Sequence, residues 1–275
     1  MSGERFMDSK ELAWKIRRHA LDMVHDAQAS HIGGVLSCAD LVAVLYADIA
    51  KYDVKNPKWE KRDRIVLSKG HNGVVIYAVL AEIGFYPVDE LKTYGKNGSK
   101  FSCHISHKEV PGVEISTGSL GHGVCVACGM ALNAKLNKKE YHTYAILGDG
   151  ECNEGSVWET AMLAAQNRLD NFTLIIDNNN MQAMGFCQDI ISTETLADKW
   201  KAFGWNVNVV DGSDHEKLRV AFKSQEEGKP NVIIAKTTKG KGISFMENQL
   251  MWHYRDPQGD DYERAVLELE KKRNF

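Results

Sequence analysis

Asp149 and Asn179 are the residues whose types and spacing most plainly suggest chemistry. Each closes an apolar run of strand length, 144–147 and 172–176. Between the runs lie a polar, glycine-rich segment, 148–155, and a helical pattern over 157–167, so the unit reads as β-α-β. Parallel strands carry both carboxyl ends to one edge of the sheet, where open α/β sheets bind ligands. A carboxylate and an amide oxygen at that edge suit Mg²⁺, which takes few protein ligands and shares the rest of its shell with phosphate oxygens. Gly148, Gly150 and Gly155 let the backbone approach a phosphate, and a helix opening near Gly155 would turn free N–H groups towards the anion. The chemistry is that of a metal–diphosphate site. The plainer alternative is a tight turn with Asp149 as an ordinary N-cap and an Asn-rich loop after the next strand; the requirement that both strand ends be polar at once favours the site.

The elements that must position these residues alternate along the chain. Helices are expected at 9–25, from Ser37 onward, and at 71–83, 157–167, 194–203, 215–224 and 261–275. The first would place Leu12, Ile16, His19, Ala20 and Met23 near one face, and Ser37 would cap the second. Strands are expected at 64–68, 144–147, 172–176, 205–210 and 231–236. This predicts an α/β fold with a mostly parallel sheet and helices on both faces. There is no repeat and no linker-like segment, so residues 1–275 are expected to form one domain.

Composition narrows the partners. The formal net charge is −3 and 43% of residues are hydrophobic, which gives no electrostatic footprint for nucleic acid. Six cysteines are scattered without a disulfide-like spacing, and residues 1–10 are too polar for a secretory signal. No uninterrupted apolar run is expected to reach membrane-spanning length, so the expectation is a soluble, cytoplasmic protein.

Gly148-Asp149-Gly150, followed by Asn178-Asn179, resembles the signature of thiamine diphosphate enzymes. Further segments select one family among these. Ser30-His31-Ile32-Gly33-Gly34, Ser68-Lys69-Gly70-His71, the loop from Pro111 through Gly118-Ser119-Leu120-Gly121, Lys239-Gly240-Lys241-Gly242 and Trp252-His253 resemble the diphosphate-binding domain of transketolases over nearly the whole chain. The resemblance implies the thiamine diphosphate-binding fold, with thiamine diphosphate and Mg²⁺ as cofactors. It implies that Asp149, Asn179 and the main-chain carbonyl of Met181 hold the metal. Gly150, Gly118, Ser119, Leu120, His71 and His253 would contact the cofactor, together with Asn179 and Glu154, the latter near a subunit interface. His31, His71, His104 and His253, with Glu154, would line the substrate channel as catalytic groups. The implied reaction moves a two-carbon ketol unit from a ketose to an aldose, with thiamine supplying a nucleophilic carbanion and imidazoles handling hydroxyl protons. Transketolases carry further domains, so the resemblance also implies a separate carboxy-terminal subunit that binds the pyrimidine ring, in an α₂β₂ assembly.

Three departures stand out. His122 replaces the usual Gln, Tyr254-Arg255 replaces a Gly, and Cys103-His104-Ile105 lacks the usual Gly-His-Pro. All are expected near the substrate channel, so the sugar need not be the common pentose phosphate. The alternative within the cofactor class is an alpha-type subunit of a 2-oxoacid dehydrogenase. The sugar-facing Ser-Lys-Gly-His and His-Ile-Gly-Gly segments speak against it. A zinc or redox module on His122, Cys125 and Cys128 is a second alternative, answered by the small apolar residues around them. A non-catalytic assembly subunit is a third, answered by the presence of Asp149, Asn179 and the channel histidines. His19, His25, His107, His142 and His215 are read as structural.

Overall fold

The computed structural model of the chain describes residues 7–273. Five strands, Arg64–Leu67 (β1), Thr143–Gly148 (β2), Phe172–Asn178 (β3), Asn206–Asp211 (β4) and Asn231–Lys236 (β5), form one sheet in the order β1-β2-β3-β5-β4. Every pair is parallel. The helices are Ser9–Ala27 (α1), Ile32–Val44 (α2), Gly73–Glu82 (α3), His122–Leu136 (α4), Gly155–Gln166 (α5), Cys187–Ile190 (α6), Leu196–Ala202 (α7), His215–Lys223 (α8) and Asp260–Lys271 (α9).

The central strands β2, β3 and β5 are buried on both faces, and their residues alternate between two cores, whereas the edge strand β4 stays partly exposed. Tyr144, Ile146, Ile175, Ile233 and Ala235 join the core built with α1, α2, α3 and α8. Ala145, Leu147, Leu174, Ile176, Val232 and Ile234 join the core built with α4, α5 and α7. This is why the runs of these three strands are largely apolar instead of alternating with polar residues, as β4 does. It also leaves the carboxyl edge as the place where polar groups can collect.

Within α1, Leu12, Ile16, Ala20 and Met23 are buried as their spacing predicts, whereas His19 is half-buried and its ring bonds Glu82. The strands and α8 fall within one or two residues of expectation. The terminal helix ends at Lys271; residues 274–275 of the expected helix lie outside the described residues.

The second helix departs most from expectation. It starts at Ile32, so Ser37 lies in its interior and caps nothing. Gly33 and Gly34 look like helix breakers but serve close approach. A Cβ at Gly34 would meet Asn72 Nδ2 at 2.8 Å, and one at Gly33 would meet the Trp252 carbonyl at 3.2 Å. His31 precedes the helix with φ 76°, a left-handed backbone that a residue with a Cβ adopts only when its surroundings hold it. The segment Ile32–Ile49, although interrupted by Asp40 and Asp48, is long and apolar enough on average to cross a membrane, yet 78% of it is buried inside the fold, as befits a core helix. His71 also falls outside its expected helix, in the 3-10 turn Gly70–Asn72 before α3.

Candidate functional site

A cavity of about 320 Å³ opens at the carboxyl edge, above β1, β2 and β3. Its floor is made by Asp149, one residue past β2, and Asn179, one residue past β3. The register Gly148↔Asp177 puts these strand ends side by side.

Asp149 is 1% exposed. Its Oδ1 accepts from the Gly150 N–H at 2.8 Å, and its Oδ2 accepts from the Asn180 N–H at 2.6 Å and Asn178 Nδ2 at 3.1 Å. Burial, aided by the charge of Asp177, still pushes its carboxyl up to about 6 against these bonds. A cation beside it would restore the ionised form. The Asn179 amide is held in one orientation: Oδ1 accepts from the Met181 N–H at 3.1 Å and Nδ2 donates to Asp177 Oδ2 at 3.1 Å. Met181 lines the cavity too, and among the described residues nothing donates to its carbonyl. A carboxylate, an amide oxygen with a lone pair to spare and a free carbonyl form a donor set of hard oxygens that fits Mg²⁺.

The cavity also fits a polar ligand beside this donor set. Asn72 Oδ1 and Gln182 Nε2 line the cavity, are buried and have no hydrogen-bond partner. Buried polar atoms are rarely left so, and each marks a place where a ligand is expected to bond. Gly150 must be glycine, since a Cβ there would stand 2.8 Å from Gln182 Cγ.

Four imidazoles form the wall. The His31 ring lies 5.0 Å from His71, 4.9 Å from His253 and 5.9 Å from His104, centroid to centroid. Burial lowers the pKa of His31 to about 4, helped by His104 and Lys239. Burial likewise lowers His253 to about 3, helped by Lys239 and His31, and His71 to about 2, helped by Lys69. These three rings are neutral at neutral pH, each with one donor and one acceptor nitrogen, the form that exchanges hydrogen bonds with hydroxyls.

Several residues that the sequence did not single out complete the site. Lys69 Nζ and Asp177 Oδ2 form a buried ion pair at 2.5 Å beneath the floor, and Ser37 Oγ donates to the same oxygen at 2.5 Å. Lys239, also buried, reaches the Gln182 carbonyl at 3.3 Å and His253 Nδ1 at 3.2 Å; burial lowers its pKa to about 8. Glu151 accepts from the Gly121 N–H at 2.8 Å and from Ser68 Oγ, tying the 118–121 loop to the turn after β2. The only signal for Lys69 and Lys239 was their place inside recognised segments.

Other expected members are not brought to the cavity. Gly118 and Leu120 line it, but Ser119 is exposed and does not. Glu154 is exposed and caps α5 outside the lining, which stops at Glu151 in the 3-10 turn Gly150–Asn153. That turn, and not the amino end of α5, faces the cavity, because it takes up the residues between β2 and the helix. Of the three departures, Tyr254 and His104 line the cavity, whereas His122 is exposed outside it. The zinc alternative finds no geometry: among the described residues no three His, Cys, Asp or Glu side chains are placed to hold a metal ion. Burial pushes the Cys128 thiol up to about 11. The histidines read as structural each have a partner: Glu82 for His19, the Tyr262 ring for His25, Ser116 for His107, Thr173 for His142, and Ser9 with Asp40 for His215.

Residues 8–266 match the family described as "Transketolase, thiamine diphosphate binding domain". The chain is 43% identical to one of the subunits of the apulose-4-phosphate transketolase of Phocaeicola vulgatus, over 94% of this chain and 92% of that one. It is 40% identical to 6-deoxy-6-sulfo-D-fructose transketolase subunit SqwG of a Clostridium species, over 98% of both. The transketolase of Campylobacter jejuni superposes with a TM-score of 0.89 at 32% identity, covering 100% of this chain and 43% of that one. The chain thus spans about four tenths of the length of the single-chain transketolases it matches, including that of Mus musculus, where the share is 42%.

Proposed function

The chain belongs to the transketolase family, as its thiamine diphosphate-binding domain, and from that membership we propose that it is the cofactor-binding subunit of a two-chain transketolase. Its partner is a separate pyrimidine-binding subunit, and the assembly is α₂β₂. The relatives that match almost end to end are named as transketolase subunits, which supports this reading. The reaction is transfer of a two-carbon ketol unit from a ketose, or its phosphate, to an aldose.

The observation that carries the proposal is a single cavity that holds both the Asp149–Asn179 oxygen pair and three imidazoles kept neutral by burial. Asp149, Asn179 Oδ1 and the Met181 carbonyl would hold Mg²⁺. Gly118, Leu120, Gly150 and Gln182 would seat the cofactor beside them. Bound there, thiamine diphosphate supplies the carbanion chemistry that makes and breaks carbon–carbon bonds. The protein orients and moves protons. His31 and His71 each present one acceptor and one donor nitrogen, so either ring can take a proton from a sugar hydroxyl, becoming an imidazolium, and return it in a later step. Lys239 donates to His253 Nδ1, which leaves Nε2–H as the face His253 offers to substrate.

The test is a two-carbon transfer assay with this chain, a candidate partner subunit, thiamine diphosphate, Mg²⁺ and a panel of ketose donors and aldose acceptors. Activity that requires both chains supports the proposal. Full activity from this chain alone removes the two-chain reading. Lipoamide-dependent decarboxylation of a 2-oxoacid by the pair replaces the sugar reading altogether.

A further inference from the structure

We infer that Tyr254 is a specificity-determining residue of the sugar site, an aromatic platform for the part of a ketose that extends past its reacting carbons. The inference deepens the ketol-transfer reading above and rests on it.

Tyr254 lines the same cavity as the imidazoles, yet the residue stays 64% exposed. Its ring meets His253 at 4.7 Å with planes 72° apart, and His31 at 6.0 Å with planes 60° apart. Both imidazoles therefore meet the ring at a steep angle, and the exposure of the residue leaves the ring accessible from outside. The ring is carried by a fixed piece of backbone. Tyr254 N–H donates to the Met251 carbonyl at 3.2 Å, closing the turn Leu250–His253. The next residue, Arg255, lies over the buried Trp252 ring at 5.3 Å and donates to Asp261 of α9 at 2.8 Å. The platform is held from both sides.

The chemistry of the surrounding groups says what such a platform takes. Imidazoles can bond the hydroxyls of the reacting carbons. An aromatic face offers no comparable donor or acceptor and instead packs against the C–H face of a sugar chain, with the phenol oxygen left for one hydroxyl further out. The cavity's lysines do not reach this role: Lys69 is spent on Asp177, and Lys239 on Gln182 and His253. On this chain, then, a sugar is gripped at the mouth by its carbon skeleton and not by a terminal anion.

The test compares Tyr254→Gly and Tyr254→Phe with wild type in the reconstituted two-chain enzyme. Fructose, fructose 6-phosphate and sedoheptulose 7-phosphate serve as long donors, and three-carbon hydroxypyruvate as a donor too short to reach the ring. For each long sugar KM is measured, or the competitive inhibition constant where it is not turned over, and is divided by KM for hydroxypyruvate. In Tyr254→Gly this ratio is expected to rise about tenfold, the scale of one aromatic contact, and in Tyr254→Phe to stay within about threefold of wild type. Thermal midpoints and cofactor affinity check that the variants are intact. An unchanged ratio in Tyr254→Gly overturns the inference. So does a fall in the ratio, which would make the ring a barrier, and so does an equal loss of kcat for every donor, which would give it a role in chemistry. If wild type transfers nothing, even from hydroxypyruvate, the ketol-transfer reading fails and this inference falls with it.

Discussion

The floor and the wall of the cavity are held by different forces. On the floor, the carboxylates of Asp149, Glu151 and Asp177 are buried and each is engaged by several hydrogen bonds or an ion pair. On the wall, His31, His71 and His253 pack against one another and the rings of His104 and Tyr254, and their charge is suppressed by burial. A region fixed by charge-assisted bonds has one geometry and loses it when a partner is removed. A region fixed by packing keeps its shape more easily but sets a protonation state. The first suits a metal ion and the second suits moving protons.

The largest expected effect lies on the floor. Asp177→Ala leaves the Lys69 ammonium buried without its partner, and breaking such a pair costs about 3–5 kcal/mol. Urea unfolding of the variant checks this. Replacing both residues, Lys69→Met with Asp177→Ala, should recover much of the loss, since no charge is then stranded. A loss under about 1 kcal/mol for Asp177→Ala alone would mean that the floor is not held by this pair. Next comes Asp149→Ala, which removes the sole carboxylate of the expected metal set. Affinity for thiamine diphosphate in Mg²⁺ should drop by about 100-fold, near 2.7 kcal/mol, with the fold retained. Calorimetric titration of the intact enzyme reads it, and unchanged affinity would move the metal elsewhere.

In acid the two regions carry opposite signs. His31, His71 and His253 have folded pKa values of about 4, 2 and 3, all below the 6.5 of a free imidazole. Between pH 6.5 and those values the unfolded chain binds protons that the folded chain refuses. Stability from the wall is present above pH 6.5 and is lost as pH falls. Each ring contributes at most about 1.4 kcal/mol per pH unit, and less at His31 and His253, whose partial exposure lets solvent screen them. Asp149 does the reverse. Its folded pKa of about 6 exceeds that of a free carboxyl, so without metal its contribution is present at low pH and lost as pH rises through about 6. Unfolding measured from pH 7 to pH 4.5 should show a net loss for the metal-free chain. His71→Asn should flatten that slope and Asp149→Asn should steepen it. Identical slopes in all three proteins would erase the distinction between floor and wall.

What was legible in the sequence follows the same division. Asp149 and Asn179 were readable because a polar residue after an apolar strand run already specifies its place on a parallel sheet. The β-α-β unit from Thr143 to Asn178 needed only local periodicity. The bonds that fix these residues were not readable, because they join distant positions: Lys69 to Asp177, Ser68 to Glu151, Ser37 to Asp177. No spacing rule reports a pair separated by more than eighty residues. The start of α2 was hidden for a related reason. Gly33 and Gly34 look like a break until the neighbours that demand them, Trp252 and Asn72, are folded against them.

The smallest expected effect concerns a residue that sequence alone ranked beside Tyr254. His122 and Tyr254 are both departures from the family pattern, and both were expected near the substrate channel. The structure separates them. His122 opens α4, is exposed, and makes only a 3.4 Å contact with the Leu120 carbonyl. Nothing in the cavity depends on its ring. His122→Gln should therefore change stability by no more than about 0.5 kcal/mol, the usual range for a surface substitution. It should also leave the ratio of long to short donors where wild type has it, in the same assay that is expected to move for Tyr254→Gly. A shift in that ratio as large as the one at Tyr254 would mean that the sugar channel extends over the amino end of α4, beyond the cavity of this chain. The mouth would then be shaped by two segments, and Tyr254 would be one side of it.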